Sequence, residues 1–110
     1  MIFITQGRFT RDAMAGMTER PEDRAATVGK LAKATGGKLL AYYFTFGEYD
    51  FLSVFEGEAE QKMAAALIVA AASGGVTDLK TTVGITSADA KKAFAGAKEV
   101  IGTFRPAGVK

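Results

Sequence analysis

Histidine and cysteine are both absent from this chain of 110 residues, and with them go whole classes of chemistry. No Ser-His or Cys-His nucleophile pair can form, nor a zinc site of the usual nitrogen and sulfur ligands, nor a haem held by His or Cys. A disulfide framework is excluded too, so the chain carries no redox signal through cysteine. Any acid or base role falls to Asp, Glu, Lys or Tyr, whose ordinary pKa values lie far from neutrality. No cofactor and no metal are expected, and whether the protein is an enzyme is left open by its residues.

An excess of one charge is missing as well. The net charge is only +2, and the basic residues are scattered among the acidic ones, so neither nucleic acid nor an anionic membrane is implied as a partner. The longest apolar run, Met63 to Ala72, is about half of the roughly 20 residues a membrane helix needs. Met1-Ile2-Phe3-Ile4 has no basic segment before it and too short an apolar stretch for a signal peptide. A cytoplasmic protein is the expectation.

What is present is enough to fold. Hydrophobic residues make up 48% and charged residues 24%, which suits a globular domain and is too apolar for a disordered one. A chain this short buries a modest share of its surface, so a partner subunit would help it.

Ile2 to Phe9 alternates as a strand, with Ile2, Ile4, Gln6 and Arg8 on one side and Phe3, Thr5, Gly7 and Phe9 on the other. Thr10 caps a short turn through Met17. Pro21-Glu22-Asp23 reads as a helix start, Val28, Leu31, Ala32 and Thr35 as its buried stripe, and Gly36-Gly37 as its end. Lys38 to Phe46 and Asp50 to Glu56 form a hairpin around Gly47. A second helix opens at Gly57 with Glu58 and Glu60, turns Met63, Ala66, Leu67 and Ala70 inward, and stops at Ser73-Gly74-Gly75. Val76 to Ile85 is a fourth strand. Ser87 with Asp89 caps a third helix in which Ala90, Phe94, Ala97 and Ile101 recur at helical spacing. The order is an α+β, ferredoxin-like βαββαβ with a four-stranded antiparallel sheet plus a C-terminal helix, one domain over residues 1–101 and a tail over 102–110.

A two-residue Gly47-Glu48 loop, with glycine supplying the positive φ of a type II′ turn, sets the hairpin register. Phe44 then lies opposite Phe51, Tyr42 opposite Ser53 and Leu40 opposite Phe55. Both helices of such a fold cover the same side of the sheet. The opposite hairpin face, with Ala41, Tyr43, Thr45, Asp50, Leu52 and Val54, is small enough in part to receive them. The aromatic face, Phe3, Tyr42, Phe44, Phe51 and Phe55, is therefore assigned to the helix-free side, the alternative being the inverted arrangement in which these rings form the monomer's own core under the helices. A bare patch of that kind predicts burial against a second copy, as a homodimer or higher homo-oligomer.

Strand ends then bring Gln6, Arg8, Tyr43, Thr45 and Asp50 together under the helices, as a candidate ligand site. Asp50 would accept a hydrogen bond or a proton, Arg8 clamp an anion or carbonyl, and Tyr43 orient a ligand. The bland alternative for the same residues is an Arg8–Asp50 ion pair with Tyr43 and Thr45 satisfying backbone groups. Ile2–Gln6 and Tyr49–Ser53 sit where an RNA-recognition motif carries its stacking rings, but Glu48 and Asp50 would repel phosphate. Glu58 and Glu60 are explained as acids of a first helical turn, without a metal.

The segment Gly47-Glu48-Tyr49-Asp50, preceded by Gly37-Lys38-Leu39 and Tyr43-Phe44-Thr45-Phe46, resembles the hallmark of the GYD domain family. The resemblance extends over about residues 1–95, including Pro21-Glu22-Asp23-Arg24-Ala25 and the Val76–Thr86 strand. It implies a dimeric α/β barrel, in which two sheets meet face to face. Relatives with that barrel include cofactor-free monooxygenases of aromatic substrates, isomerases, haem enzymes and small-ligand effector domains. The functional expectation is a dimeric domain that binds a small apolar or aromatic organic molecule between sheet and helices. The alternatives are a structural or assembly module without ligand, and a cofactor-free monooxygenase or isomerase.

Overall fold

Strands form where apolar and β-branched residues alternate, and a computed structural model describing residues 1–109 places four of them in one sheet. These are β1 (Ile2–Phe9), β2 (Lys38–Phe44), β3 (Phe51–Glu56) and β4 (Val76–Gly84), all paired antiparallel in the order β2-β3-β1-β4. Helices α1 (Arg11–Glu19), α2 (Arg24–Ala34), α3 (Glu60–Ala72) and α4 (Ser87–Val100) complete an α+β, ferredoxin-like fold. Among the described residues no helix is long and apolar enough to cross a membrane.

The helix boundaries follow their caps. Thr10 accepts a hydrogen bond from the Ala13 amide and opens a helix of nine residues, where the sequence suggested only a turn. Asp23 caps α2 by accepting from the Ala25 amide at 3.0 Å, so Pro21 lies ahead of the helix and not at its first position. At its far end Gly36, at φ +81°, reverses the chain toward β2. The side chain of Thr86, one residue before the expected Ser87, caps α4.

Phe44 pairs with Phe51 and Tyr42 with Ser53, as the alternation predicts. Two details of the hairpin differ. A bulge between Leu39 and Ala41 shifts the register, so Leu39 and not Leu40 pairs with Phe55. The turn is also wider than two residues. The Thr45 amide donates to the Asp50 carbonyl at 2.9 Å, enclosing residues 46–49, and Gly47 has no positive φ.

The expected orientation of the sheet is reversed. Phe3, Thr5, Phe51 and Ser53 are buried on the face that α2 and α3 cover, opposite Ala32, Met63 and Ala66. Tyr42, Phe44 and Phe55 share that face by register with Ser53, Phe51 and Phe3. The aromatic set assigned to a subunit interface thus lies on the monomer's own helix-covered side. Size complementarity favours this side: small helix residues such as Ala13, Gly16, Ala32, Ala66 and Ala70, set among larger ones, leave room for the rings of the sheet. Gly7 makes room for this, because a Cβ there would come within 2.7 Å of the Phe51 ring. The helix-free face carries half-buried Ile2, Ile4, Gln6, Leu52 and Val54 instead.

Helix α4 departs from the body. Every residue from Lys91 to Val109 is exposed, Phe94, Ile101 and Phe104 each by about three-quarters. The molecule is correspondingly long, 61 Å against 31 and 21 Å.

Candidate ligand cavity

Small residues on the helices leave a space above the sheet. Only Phe3, Ala32, Phe51, Met63 and Ala66 are buried apolar residues among those described, and this thin core adjoins a cavity of about 850 Å³. Its floor is Thr5, Phe9, Tyr42, Phe51, Ser53 and Phe55 from the sheet; its walls include Met17 of α1, Val28 and Leu31 of α2, and Met63 and Leu67 of α3. Three of these floor rings, Phe9, Tyr42 and Phe51, cluster with Phe44, which lies outside the lining. Phe9 stacks on Phe44 at 5.3 Å and tilts against Phe51 at 5.1 Å, while Tyr42 stacks on Phe51 at 6.0 Å and meets Phe44 edge-on.

Polar and charged residues also line it, among them Arg20, Arg24, Thr27, Tyr42, Ser53 and Lys62. The Thr5 hydroxyl shares a hydrogen bond with that of Thr81 at 2.8 Å, and the Ser53 hydroxyl donates to the Thr5 carbonyl. Tyr42 and Arg24 are neighbours in this lining. Burial pushes the Tyr42 phenol above its ordinary pKa, with the neighbouring Arg24 guanidinium opposing that shift through its charge and a hydrogen bond. The phenol is thus a hydrogen-bonding group and not a base near neutral pH. Arg24 donates from Nη1 to Glu22 at 3.2 Å, while its buried Nε has no partner. Among the described residues no group of three or more Asp or Glu is placed to hold a metal ion.

The residues singled out in the sequence, Gln6, Arg8, Tyr43, Thr45 and Asp50, do not line this cavity. Gln6, Arg8 and Tyr43 alternate with residues of the covered face and so lie on the opposite side of the sheet, Tyr43 being 62% exposed. They were expected beneath the helices, and the reversed sheet accounts for the difference. Arg8 pairs with Asp78 at 3.8 Å, donates from Nε to the Glu48 carbonyl at 2.8 Å and lies over the Tyr49 ring. Asp50 does not pair with Arg8 here. Its carboxylate accepts from the Phe9 amide at 2.9 Å, and its own amide donates to the Gly7 carbonyl. Thr45 donates its hydroxyl to the Tyr49 carbonyl at 2.6 Å. These bonds tie the hairpin turn to the end of β1.

That turn contains Gly47, Tyr49 and Asp50, and the family model for the GYD domain matches residues 3–94. The chain belongs to the GYD domain family. No curated protein and no solved structure matches it. Within this GYD domain, then, the Gly-Glu-Tyr-Asp segment works as a brace for the sheet, and the cavity lies on the other face. Sequence reasoning missed Arg24 and Phe9 as cavity residues. The available signal was the row of Ala and Gly on the helices, which foretells an underfilled interior.

Proposed function

We propose that this GYD domain binds a small, largely apolar organic molecule in the cavity between sheet and helices. One observation carries the reading: a space of about 850 Å³ whose lining includes the rings of Phe9, Tyr42, Phe51 and Phe55, in the size range of small-molecule sites. The neutral fluorophore N-phenyl-1-naphthylamine tests it. Its emission should rise on binding with saturable, stoichiometric behaviour, and Ala66→Leu, which fills the space beside Met63, should weaken binding at least several-fold while the protein stays folded. No saturable signal, or equal binding by the filled variant, would refute the reading.

We further propose that the domain works as a homodimer joined through the helix-free sheet face. Ile2, Ile4, Leu52 and Val54 form an apolar stripe there, only half covered by the monomer, and a second copy of the same stripe is its natural cover. Sedimentation at micromolar concentration should give a dimer that Ile4→Lys dissociates; a native monomer would end this part. An assembly role without ligand is the second reading, favoured by the exposed apolar residues of α4, and the fluorophore experiment separates the two.

A further inference from the structure

Helix α3 is apolar on every side. From Met63 to Ala72 it carries no polar side chain, and a helix of that kind belongs in an interior. Met63 and Ala66 are buried over the sheet, yet Ala64, Ala65, Ala72 and Ile68, the last 68% exposed, face water. The C-terminal helix presents a matching face. Ala90, Phe94 and Ala97 of α4 and Ile101 just beyond it follow in steps of four and three, the spacing by which a helix keeps one face on another. Phe94 and Ile101 are 76% and 74% exposed. Charge distinguishes the two helices as well. Five of the 14 basic residues but only two of the 12 acidic ones follow Thr86, so that segment carries +3 and the chain before it −1. Lys91 and Lys98 flank the apolar row of α4 one heptad apart, whereas α3 opens on exposed Glu60 and has no basic residue in its last turn.

We infer that α4 of one chain docks antiparallel on the outer face of α3 in a second copy, which returns the contact. The inference deepens the assembly reading and rests on neither the cavity nor the sheet-face dimer. The two helices match in length, 14 residues and 13, and the large side chains of one meet the alanines of the other, so the backbones can approach closely. Antiparallel alignment brings Lys98 toward Glu60, and Lys91 toward the α3 C-terminus, where the helix dipole is negative and the last turn has no cation of its own. Parallel alignment would instead set Asp89 beside Glu60. An antiparallel pair of α4 helices would set the Lys91–Lys98 row against itself. Two short helices bury less than a sheet face, so this association is the weaker of the two and shows itself at higher concentration.

Sedimentation equilibrium at several hundred micromolar tests this on the full-length protein carrying Ile4→Lys, which removes the sheet-face association, so that failure of that interface leaves the result untouched. A monomer–dimer equilibrium should remain. Adding Ala65→Asp on α3 or Phe94→Asp on α4 should weaken it roughly tenfold or more; both positions are exposed, so the variants keep their fold. Glu60→Lys should weaken it less, and Lys98→Glu added to Glu60→Lys should restore part of the loss. The chain has no cysteine, which makes a disulfide a clean reporter of the pairing: chains carrying Ala65→Cys and chains carrying Ala97→Cys should link on oxidation when mixed and not when apart. A monomer at every concentration overturns the inference. So does association that survives Ala65→Asp, which would mean α4 pairing with α4 or another surface, and so does a disulfide closed inside one chain that carries both cysteines, which would mean α4 folding back on its own α3.

Discussion

Replacing Asp50 by alanine separates a structural use of the Gly-Glu-Tyr-Asp turn from a ligand-binding one. The Asp50 carboxylate accepts the Phe9 amide at 2.9 Å in a partly buried setting, and alanine leaves that amide without its acceptor. Such a loss costs about 1–2 kcal/mol. With a urea dependence of about 1–1.5 kcal/mol per M for a domain of this size, the unfolding midpoint should fall by about 1 M with no change of slope. Asp50→Asn keeps an acceptor oxygen and should lose less than half as much. Unfolding followed by circular dichroism, at one fixed protein concentration because association shifts apparent stability, supplies the comparison. Both variants should bind N-phenyl-1-naphthylamine as the native protein does. Native stability in Asp50→Ala, combined with lost binding of the fluorophore, would refute the assignment of this carboxylate to the β1 backbone.

Two glycines should respond in opposite ways. A Cβ at Gly37 would lie 2.6 Å from the Glu56 carbonyl oxygen, so Gly37→Ala must part β2 from β3 and should cost about 1–3 kcal/mol in urea unfolding. Gly47 has open space around it and no positive φ, so Gly47→Ala should stay within about 0.5 kcal/mol of native. Tyr42 predicts a dependence on alkaline pH. Because its folded pKa is raised above the ordinary 10.0, the contribution of the neutral phenol is complete below that pH and is lost as pH rises through the folded pKa. Thermal unfolding between pH 8 and 11 should show a decline that is shallower in Tyr42→Phe, and identical slopes would contradict the burial of this phenol.

Strand existence and hairpin register were legible because two periodicities agreed: alternation along β2 and β3, and the placement of polar turn residues between them. Tyr42–Ser53 and Phe44–Phe51 followed from that agreement. The side of the sheet that receives the helices was not legible from the strands, since both faces are apolar, Ile2, Ile4, Leu52 and Val54 on one and Phe3, Phe51 and Phe55 on the other. The signal lay in the helices, whose many Ala and Gly residues leave room for large rings. The same inversion carried Arg8 and Tyr43 away from the cavity and brought Tyr42 to it. Helix α1 escaped notice for a local reason. It is short, nine residues following directly on Thr10, and Met14 and Met17 are its only large apolar side chains, so its stripe is easily read as a turn.

Helix α4 has 14 residues, a length at which solitary helices in water are marginal, and beyond Ala90 every one of its residues is exposed. Its backbone amides should therefore exchange with deuterium quickly in a lone subunit, while those of β1, paired on both edges, hold out nearly until global unfolding. The segment from Lys91 to Val100 becomes a built-in gauge: its rate of labelling, read against concentration, reports how far its apolar side has found company.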